Sequence, residues 1–469
     1  MWQPVNSRLA VVLRSYIFKK RELHHQPWWR NKIVVKSFVT YNLNNLGSIQ
    51  QVRSLPDELR LAIPVVGRVL PFRTNNYLVD ELIDWDNAET DPIYHLNFPC
   101  REMLLPAHYE RIRGLLESGA SRSNIRDAVQ VIRCDLNPHS LQIMEGALPS
   151  INGRKQHGII HSYPETVLFF PAEGQMCYAH CTFCFRWLQF VGEEEEIFAS
   201  TDVNALVSYV SQHEEVRDIL ITGGDPLFMR LDILSGYVDR ILDANIPHLN
   251  AIRFGTKAIT YWPYRFLTDT DSDSLLALFE KIVAKGKHVA VVANINHPRE
   301  LSTDAALRAV ARIRATGAEI RAQSPLLRHI NDAPEILSVL WQEEVRLGII
   351  PYYQFIVRDT GAWHYFGMPL VEALGIFREA YRNVSGICRT VRGPIMSTPQ
   401  GKVQVLDVQE LYGEKAFLLR YIQAPDKGMV LRTFFAAYDE KAKWFTDLKS
   451  FRPMDAKFFH KQCAPRAPK

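Results

Sequence analysis

Three cysteines, Cys177, Cys181 and Cys184, lie together in the string CYAHCTFC. The spacing C-x3-C-x2-C constrains the chain more than any other feature. It brings three of only seven cysteines in 469 residues onto one short segment. Three thiolates presented by one loop hold three irons of a 4Fe–4S cluster and leave the fourth iron open to an exogenous ligand. Such a loop needs a rigid element on either side of it. Two readings compete. Spacings of +4 and +7 also describe one face of a helix, which would make the three ordinary core residues. A zinc site would need a fourth ligand, and His180 falls on the wrong stagger inside the motif.

The periodicity after residue 158 supplies the rigid elements. Apolar, strand-like runs occur at 167–171, 218–222, 252–256, 288–295, 319–326 and 352–357. Amphipathic helical patterns at about 202–213, 231–244, 272–286, 304–317 and 334–348 separate them, several stopping on glycine (Gly286, Gly317, Gly348). Strands alternating with helices imply parallel pairing. Six strands are fewer than the eight of a closed barrel. The expected fold class is therefore α/β, a partial, six-stranded parallel β/α barrel. The cysteine loop directly follows the first strand, at the carboxyl end where barrels collect functional groups. The second strand ends in Thr222-Gly223-Gly224-Asp225-Pro226, where two glycines let the backbone approach a ligand closely.

Four regions follow: an extension over 1–55, a mostly helical region over 56–157 with helices at 107–117 and 122–133, the barrel over 158–403, and a C-terminal extension over 404–469. From about 445 the chain is rich in Lys, Phe and Pro and is expected to be mobile. The first 36 residues carry eight Lys/Arg against one acid, Glu22. That is the charge pattern of a targeting segment, but serines are few and Trp28-Trp29 suggests packing or a surface contact, so a poorly packed N-terminal extension is expected instead. Net charge is only +4, so no nucleic-acid partner is called for. No apolar run reaches the ~18 residues of a membrane span. Cysteine usage fits a reducing compartment, and a cytoplasmic location is expected. Cys100, Cys134 and Cys388 read as small core residues.

C-x3-C-x2-C is the signature of radical S-adenosylmethionine (AdoMet) enzymes, and further strings resemble one branch of them. In order they are HSYPETVLF at 161–169, CFR at 184–186, DILITGGD at 218–225, IRFGT at 252–256, NHP at 296–298, QSPLLR at 323–328 with Asn331-Asp332, PYY at 351–353 and GKV at 401–403. Together they resemble lysine 2,3-aminomutase and its relatives, with a weaker likeness through 75–110. The resemblance implies a 4Fe–4S cluster on Cys177, Cys181 and Cys184, with AdoMet on its open iron. It implies AdoMet contacts at Gly223, Gly224 and Asp225, and cofactor contacts at Gln323 and Ser324. It makes Lys402 the lysine that carries pyridoxal phosphate (PLP), Arg186 the clamp on the substrate carboxylate, and Asp359 a partner for a substrate ammonium. The implied reaction is a 2,3-amino shift on an α-amino acid, with an electron donor such as flavodoxin or ferredoxin; a homo-oligomer is compatible with it.

Three departures stand against a plain lysine aminomutase. Places where the family has arginines for the PLP phosphate read Ser162 and Thr166 here. The glycine run before the lysine reads Ser397-Thr-Pro-Gln-Gly401. The second acid that grips the lysine ε-ammonium reads Ile395. The family's C-terminal zinc cysteines have no counterpart beyond Cys463. A PLP-independent radical AdoMet enzyme on the same barrel is the alternative these departures keep open.

Overall fold

The computed structural model describes residues 34–137, 148–151, 153–191 and 198–459. The basic segment through residue 33 and Cys463 lie outside the described residues. The N-terminal region holds helices α1 (Asp57–Val69), α2 (Pro92–Asn97), α3 (Pro106–Glu117) and α4 (Arg122–Asp135). An eleven-stranded sheet follows, in which every strand pairs with its neighbours in sequence. Its strands are β1 (Ile159–Tyr163), β2 (Thr166–Phe169), β3 (Asp218–Ile221), β4 (Ala251–Thr256), β5 (His288–Asn294), β6 (Glu319–Leu326), β7 (Ile349–Ile356), β8 (Arg392–Thr398), β9 (Gly401–Leu411), β10 (Glu414–Gln423) and β11 (Thr433–Ala437). Strands β2 to β8 run parallel. β1 at one edge and β9 to β11 at the other are antiparallel.

Helices α5 (Val203–Gln212), α6 (Leu231–Asp243), α7 (Ser272–Ala284), α8 (Asp304–Ala315), α9 (Pro334–Arg346) and α10 (Leu370–Arg382) connect the parallel strands one by one. Capping fixes their ends. Asp202 accepts from Ala205 N at 2.9 Å and Thr303 from Ala306 N at 3.1 Å. All six expected strand runs are present. A seventh parallel strand, β8, joins them, one more than the count expected from the sequence. The C-terminal segment is also more ordered than expected. Phe445 and Phe458 are buried, and the buried Asp455 accepts from Phe435 N at 3.1 Å, tying residues 453–458 to β11.

The register climbs across the sheet. Thr166, Asp218, Ala251 and His288 pair in a row, but Glu319 pairs with Ala290 and Arg392 with Tyr353. A stagger of this kind accompanies rolling of a sheet. The roll brings opposite ends together: the Lys402 ammonium of β9 lies 5.1 Å from the Tyr163 ring of β1, and Lys427 pairs with Glu165 at 3.1 Å.

Burial alternates strictly along β3, β4 and β6, while the central β5 is buried on both faces from Val289 to Ala293. Ile219 and Ile221, Ile252 and Phe254, Ile320 and Leu326 are buried toward the helices. Asp218, Leu220, Arg253, Gly255, Arg321 and Gln323 take the intervening positions and stay partly accessible. Parallel strands ordinarily bury both faces. Here the helix-covered face is apolar and the concave face is polar and open, which is where a ligand belongs. No helix among the described residues is long and apolar enough to cross a membrane.

The N-terminal region shares one continuous core with the sheet. Asn75, fully buried, is its main polar tie. Its amide donates to Tyr178 O at 3.2 Å and Tyr261 O at 2.9 Å, and its oxygen accepts from Tyr77 N and Leu78 N at 3.0 and 3.1 Å. Each buried group left unsatisfied costs roughly 1–3 kcal/mol. Asn75→Ala is therefore expected to lower unfolding stability by about 3 kcal/mol or more, read as a drop in denaturation midpoint at unchanged slope. A loss below about 0.5 kcal/mol would show that the tie is dispensable.

Candidate active site

Cys177, Cys181 and Cys184 sit in an irregular loop after β2, not on a helix, which removes the helix-face reading. Backbone and side chains from two directions hold this loop. From β3, Gly224 N donates to Gly174 O at 3.1 Å and Asp225 N to Met176 O at 2.7 Å. From the N-terminal region, His180 N donates to Arg73 O at 2.8 Å and Thr182 N to Leu96 O at 3.1 Å, while Asn97 donates to His180 O at 3.0 Å. Thr182 Oγ1 also donates to His95 O at 2.6 Å, at the end of α2. Burial raises the pKa of all three thiols, Cys184 to about 12; Cys184 and Cys181 push Cys177 up further, and Cys181 pushes Cys184 up further. Thiolates packed this closely are unfavourable without a compensating cation, and bound iron supplies one. Among the described residues no three His, Cys, Asp or Glu side chains close on a single metal ion. A cluster places each thiolate on a different iron, so convergence on one point is not required of it.

Gly223 and Gly224 make a close approach, but to the protein itself. A Cβ on Gly224 would stand 2.6 Å from both the Gln175 carbonyl carbon and Met176 O, and one on Gly223 2.3 Å from Gln175 Nε2. Asp225 is saturated. Its carboxylate accepts from Thr256 Oγ1 at 2.8 and 2.7 Å, Lys257 N at 2.9 Å and Leu227 N at 3.0 Å, joining the end of β3 to the end of β4. Burial, opposed by these donors, raises its pKa to about 6. The Gly-Gly-Asp segment thus builds the platform for the cysteine loop, and its Asp side chain has no lone direction left for a ligand.

Lys402 projects from the start of β9 into the concave face. Its ammonium lies between the rings of Tyr353 at 4.7 Å and Tyr163 at 5.1 Å and donates to Gln423. Burial, then the Arg253 and Arg392 cations, lower its pKa to about 7 against the opposing pull of Asp218. Arg253 pairs with Asp218, which accepts from Thr166 Oγ1 at 3.1 Å, so Thr166 lies in the same polar cluster. Arg392 stacks on Tyr353 at 4.3 Å and Tyr352 at 4.7 Å.

Arg186 lies over the Phe170 ring at 4.2 Å and the Phe185 ring at 5.3 Å. Its Nη1 is buried with no hydrogen-bond partner, and burial lowers its pKa to about 10. Asp359 is buried and already engaged within the protein, with Arg358 beside it. Gln323 occupies the concave face through its pairing with Tyr353. Ser324 turns the other way, to the helix-covered face, where its hydroxyl meets Gln354 Oε1 at 3.3 Å. Ile395, fully buried, clusters with Tyr353 and Ile422 near Lys402.

Sequence reasoning missed Arg253, Arg358 and Arg392. The signal for Arg253 was present: an arginine between Ile252 and Phe254, in a strand expected to be apolar on both sides.

No protein-family model matches the chain. A provisionally named L-lysine 2,3-aminomutase of Aquifex aeolicus is 30% identical over 397 residues, which are 84% of this chain and 92% of that protein. The chain belongs to the lysine 2,3-aminomutase family. The L-lysine 2,3-aminomutase of Acetoanaerobium sticklandii is 26% identical over 49% of this chain and 52% of its own length. A glutamate 2,3-aminomutase of Clostridioides difficile is 25% identical over 48% and 50%. With these two the chain aligns over about half their length. Among solved structures, SuiB of Streptococcus suis bound to its precursor peptide SuiA covers 57% of each chain at 13% identity with a TM-score of 0.33, too low to bear on this fold.

In this family member, a side chain at position 224 must displace the backbone leading into Cys177. Gly224→Ala is expected to lose at least half of the iron and sulfide taken up in anaerobic reconstitution, as Cys177→Ala, Cys181→Ala and Cys184→Ala should. Full iron content with an unchanged cluster spectrum in Gly224→Ala would show that the loop tolerates the shift.

Proposed function

We propose that this protein catalyses a 2,3-amino shift on an α-amino acid at the concave face of a partial β/α barrel. The cluster would be held by Cys177, Cys181 and Cys184, with AdoMet beside it, and PLP would be joined to Lys402. The observation that carries this reading is Lys402: a desolvated lysine, flanked by two tyrosines, on the same concave face whose first parallel strand leads into the cysteine loop.

The residues present fit these groups. A lysine joins a carbonyl cofactor only as the neutral amine, and a pKa near 7 keeps much of Lys402 neutral at physiological pH. The phosphate of PLP needs cations. The residues at 162 and 166 carry only hydroxyls, but Arg253 and Arg392 act on the Lys402 site from β4 and β8. When bound, the cluster and AdoMet supply a hydrogen-abstracting radical, and PLP supplies a π system that spreads the unpaired electron during the shift.

The chain's own residues then have defined tasks. Arg186 offers a buried, unpartnered N–H to the substrate α-carboxylate, a geometry suited to a bidentate pair. Tyr163 and Tyr353 bracket the Lys402 amine and restrict its motion. Gln423 Oε1 accepts from the amine and orients it. Ile395, Tyr353 and Ile422 line the neighbourhood with apolar surface and exclude water. The reaction is an isomerisation: the hydrogen taken from Cβ is returned at Cα as nitrogen moves the other way. An external one-electron donor, such as a flavodoxin or ferredoxin, completes the system.

The test is reductive trapping. Borohydride treatment of protein saturated with PLP should fix the cofactor on Lys402, and a peptide map should locate it there. The sign of the pH dependence follows from the lowered pKa. The amine is mostly protonated below pH 7 and neutral above it, so attachment should rise between pH 6 and 8 and then level off. An ordinary lysine would still be rising at pH 10. A map with no adduct at Lys402 would favour the PLP-independent alternative.

A further inference from the structure

Two guanidinium groups share the Phe185 ring. Arg186 stands 5.3 Å from its centroid and Arg358 5.8 Å. Among the described residues neither guanidinium forms a hydrogen bond to a side chain or an ion pair. Arg186 Nη1 is buried and orphaned. Arg358 lines a cavity of about 130 Å³ with Ser397, Gln400, Trp444 and Phe445. Gln400 Oε1, at the same cavity, is likewise buried without a partner. The cavity continues the Lys402 site. Ser397 pairs with Lys402 across β8 and β9, and Tyr163, next to the Lys402 ammonium, stands close to Ser397 and feels the charge of Arg358.

Two desolvated cations side by side repel each other, and arriving anions relieve the repulsion. One anion is the α-carboxylate that every α-amino acid brings. It accounts for Arg186 and leaves Arg358. On the proposed amino-shift reading, the part of the substrate that reaches Arg358 is the end of its side chain. The cavity is below the ~300 Å³ of a site for a whole ligand, and suits such an end. An ammonium there would meet Arg358 head-on. The nearest carboxylate, Asp359, is already engaged and stands beside that same cation. Position 395, in the same neighbourhood, is a fully buried isoleucine. Trp444 and Phe445 on the cavity wall lower the local dielectric and strengthen a guanidinium–carboxylate pair.

We propose that the substrate is an α-amino acid whose side chain ends in a carboxylate, with Arg186 taking the α-carboxylate and Arg358 the distal one. This deepens the function proposed above and rests on it.

The test uses the full-length protein, anaerobically reconstituted and supplied with AdoMet, PLP and dithionite. L-Glutamate, its neutral isostere L-glutamine, and L-lysine are compared by mass spectrometry of the β-amino product and by 5′-deoxyadenosine released. Glutamate should exceed glutamine and lysine in kcat/KM by at least about tenfold, the effect of one charged hydrogen bond. Arg358→Gln should erase most of that preference through a higher KM for glutamate, at unchanged iron and PLP content. Arg358→Lys, which keeps the charge, should restore much of it. If lysine or glutamine is converted to its β-isomer as well as glutamate or better, the proposal is overturned and the amino shift stands. If Arg358→Gln loses PLP while the glutamate preference persists, Arg358 serves the cofactor and the proposal is overturned. If AdoMet is cleaved but no amino acid yields a β-isomer, the amino-shift reading itself fails, and this proposal with it.

Discussion

Charge on the inner face of a parallel sheet dictates much of what surrounds it. A parallel strand covered on both faces would bury Asp218 and Arg253 at a cost of several kcal/mol per unpaired ion. Here helices cover only the outer face, and the sheet rolls so that the charged positions meet across a shared interior. Asp218 and Arg253 form an ion pair there, and Thr166 donates to Asp218. Glu319 and Arg321 form a second ion pair on β6. What remains is a surplus of cations: Arg186, Arg358, Arg392 and Lys402 face it with Asp359 the nearest remaining acid. An interior with that balance is prepared for phosphate and carboxylate. The same surplus acts on Lys402, where cations reinforce the effect of burial and push the amine toward its reactive, neutral form.

The cysteine loop depends on a different kind of contact. Its approach to the segment after β3 is closer than any Cβ allows, backbone against backbone at Gly224 and backbone against the Gln175 side chain at Gly223. Asp225 then locks the end of β3 to the end of β4 through three hydrogen bonds, and the N-terminal region closes the loop from outside through Asn75, Asn97 and the carbonyls of α2. The three cysteines are adjacent in sequence, but their placement is set by residues from Asn75 to Lys257. The helical region before residue 157 is in this sense part of the site. It shares the sheet's core and supplies one wall of the cysteine loop.

Periodicity made the alternating strands and helices legible, because each strand has an apolar covered face and each helix an apolar stripe. β8 escaped because its first residues are Arg392, Gly393 and Pro394, which read as a loop. The strand exists because β7 pairs with it on one side and β9 on the other, information that no local window contains. The order of residues 445–458 was hidden likewise: isolated aromatics in a basic, Pro-containing stretch gain meaning only when Phe434 stacks on Phe458 at 4.8 Å. At the site, the cysteines and Lys402 were readable as motifs. The orientation of Ser324 was not drawn from its motif, although the unbroken alternation of β6 puts it on the buried face with Ile320, Ala322 and Leu326. Arg358 was overlooked beside Asp359 because the two are adjacent, and only the folded chain shows which of them meets Phe185 and the cavity.

The two halves of the site differ in how much change they accept. Around the cysteines, the decisive contacts run through main-chain atoms and through glycines with no room for a side chain. A substitution there moves the backbone, and with it all three thiols. Around Lys402, recognition is done by side-chain ends carried on β7, β8 and the segment that follows β7: Tyr353, Arg358, Ile395. Exchanging an acid for isoleucine at one of these positions alters charge and volume without moving a strand, since the ladder hydrogen bonds of β8 are indifferent to the side chain. A chain can therefore keep the apparatus that generates a radical and alter what the radical acts on, and relatives named for lysine and for glutamate both match this sequence. The apolar Ile395 and the cationic Arg358 lie in the part of the molecule where such a change is least costly to the fold.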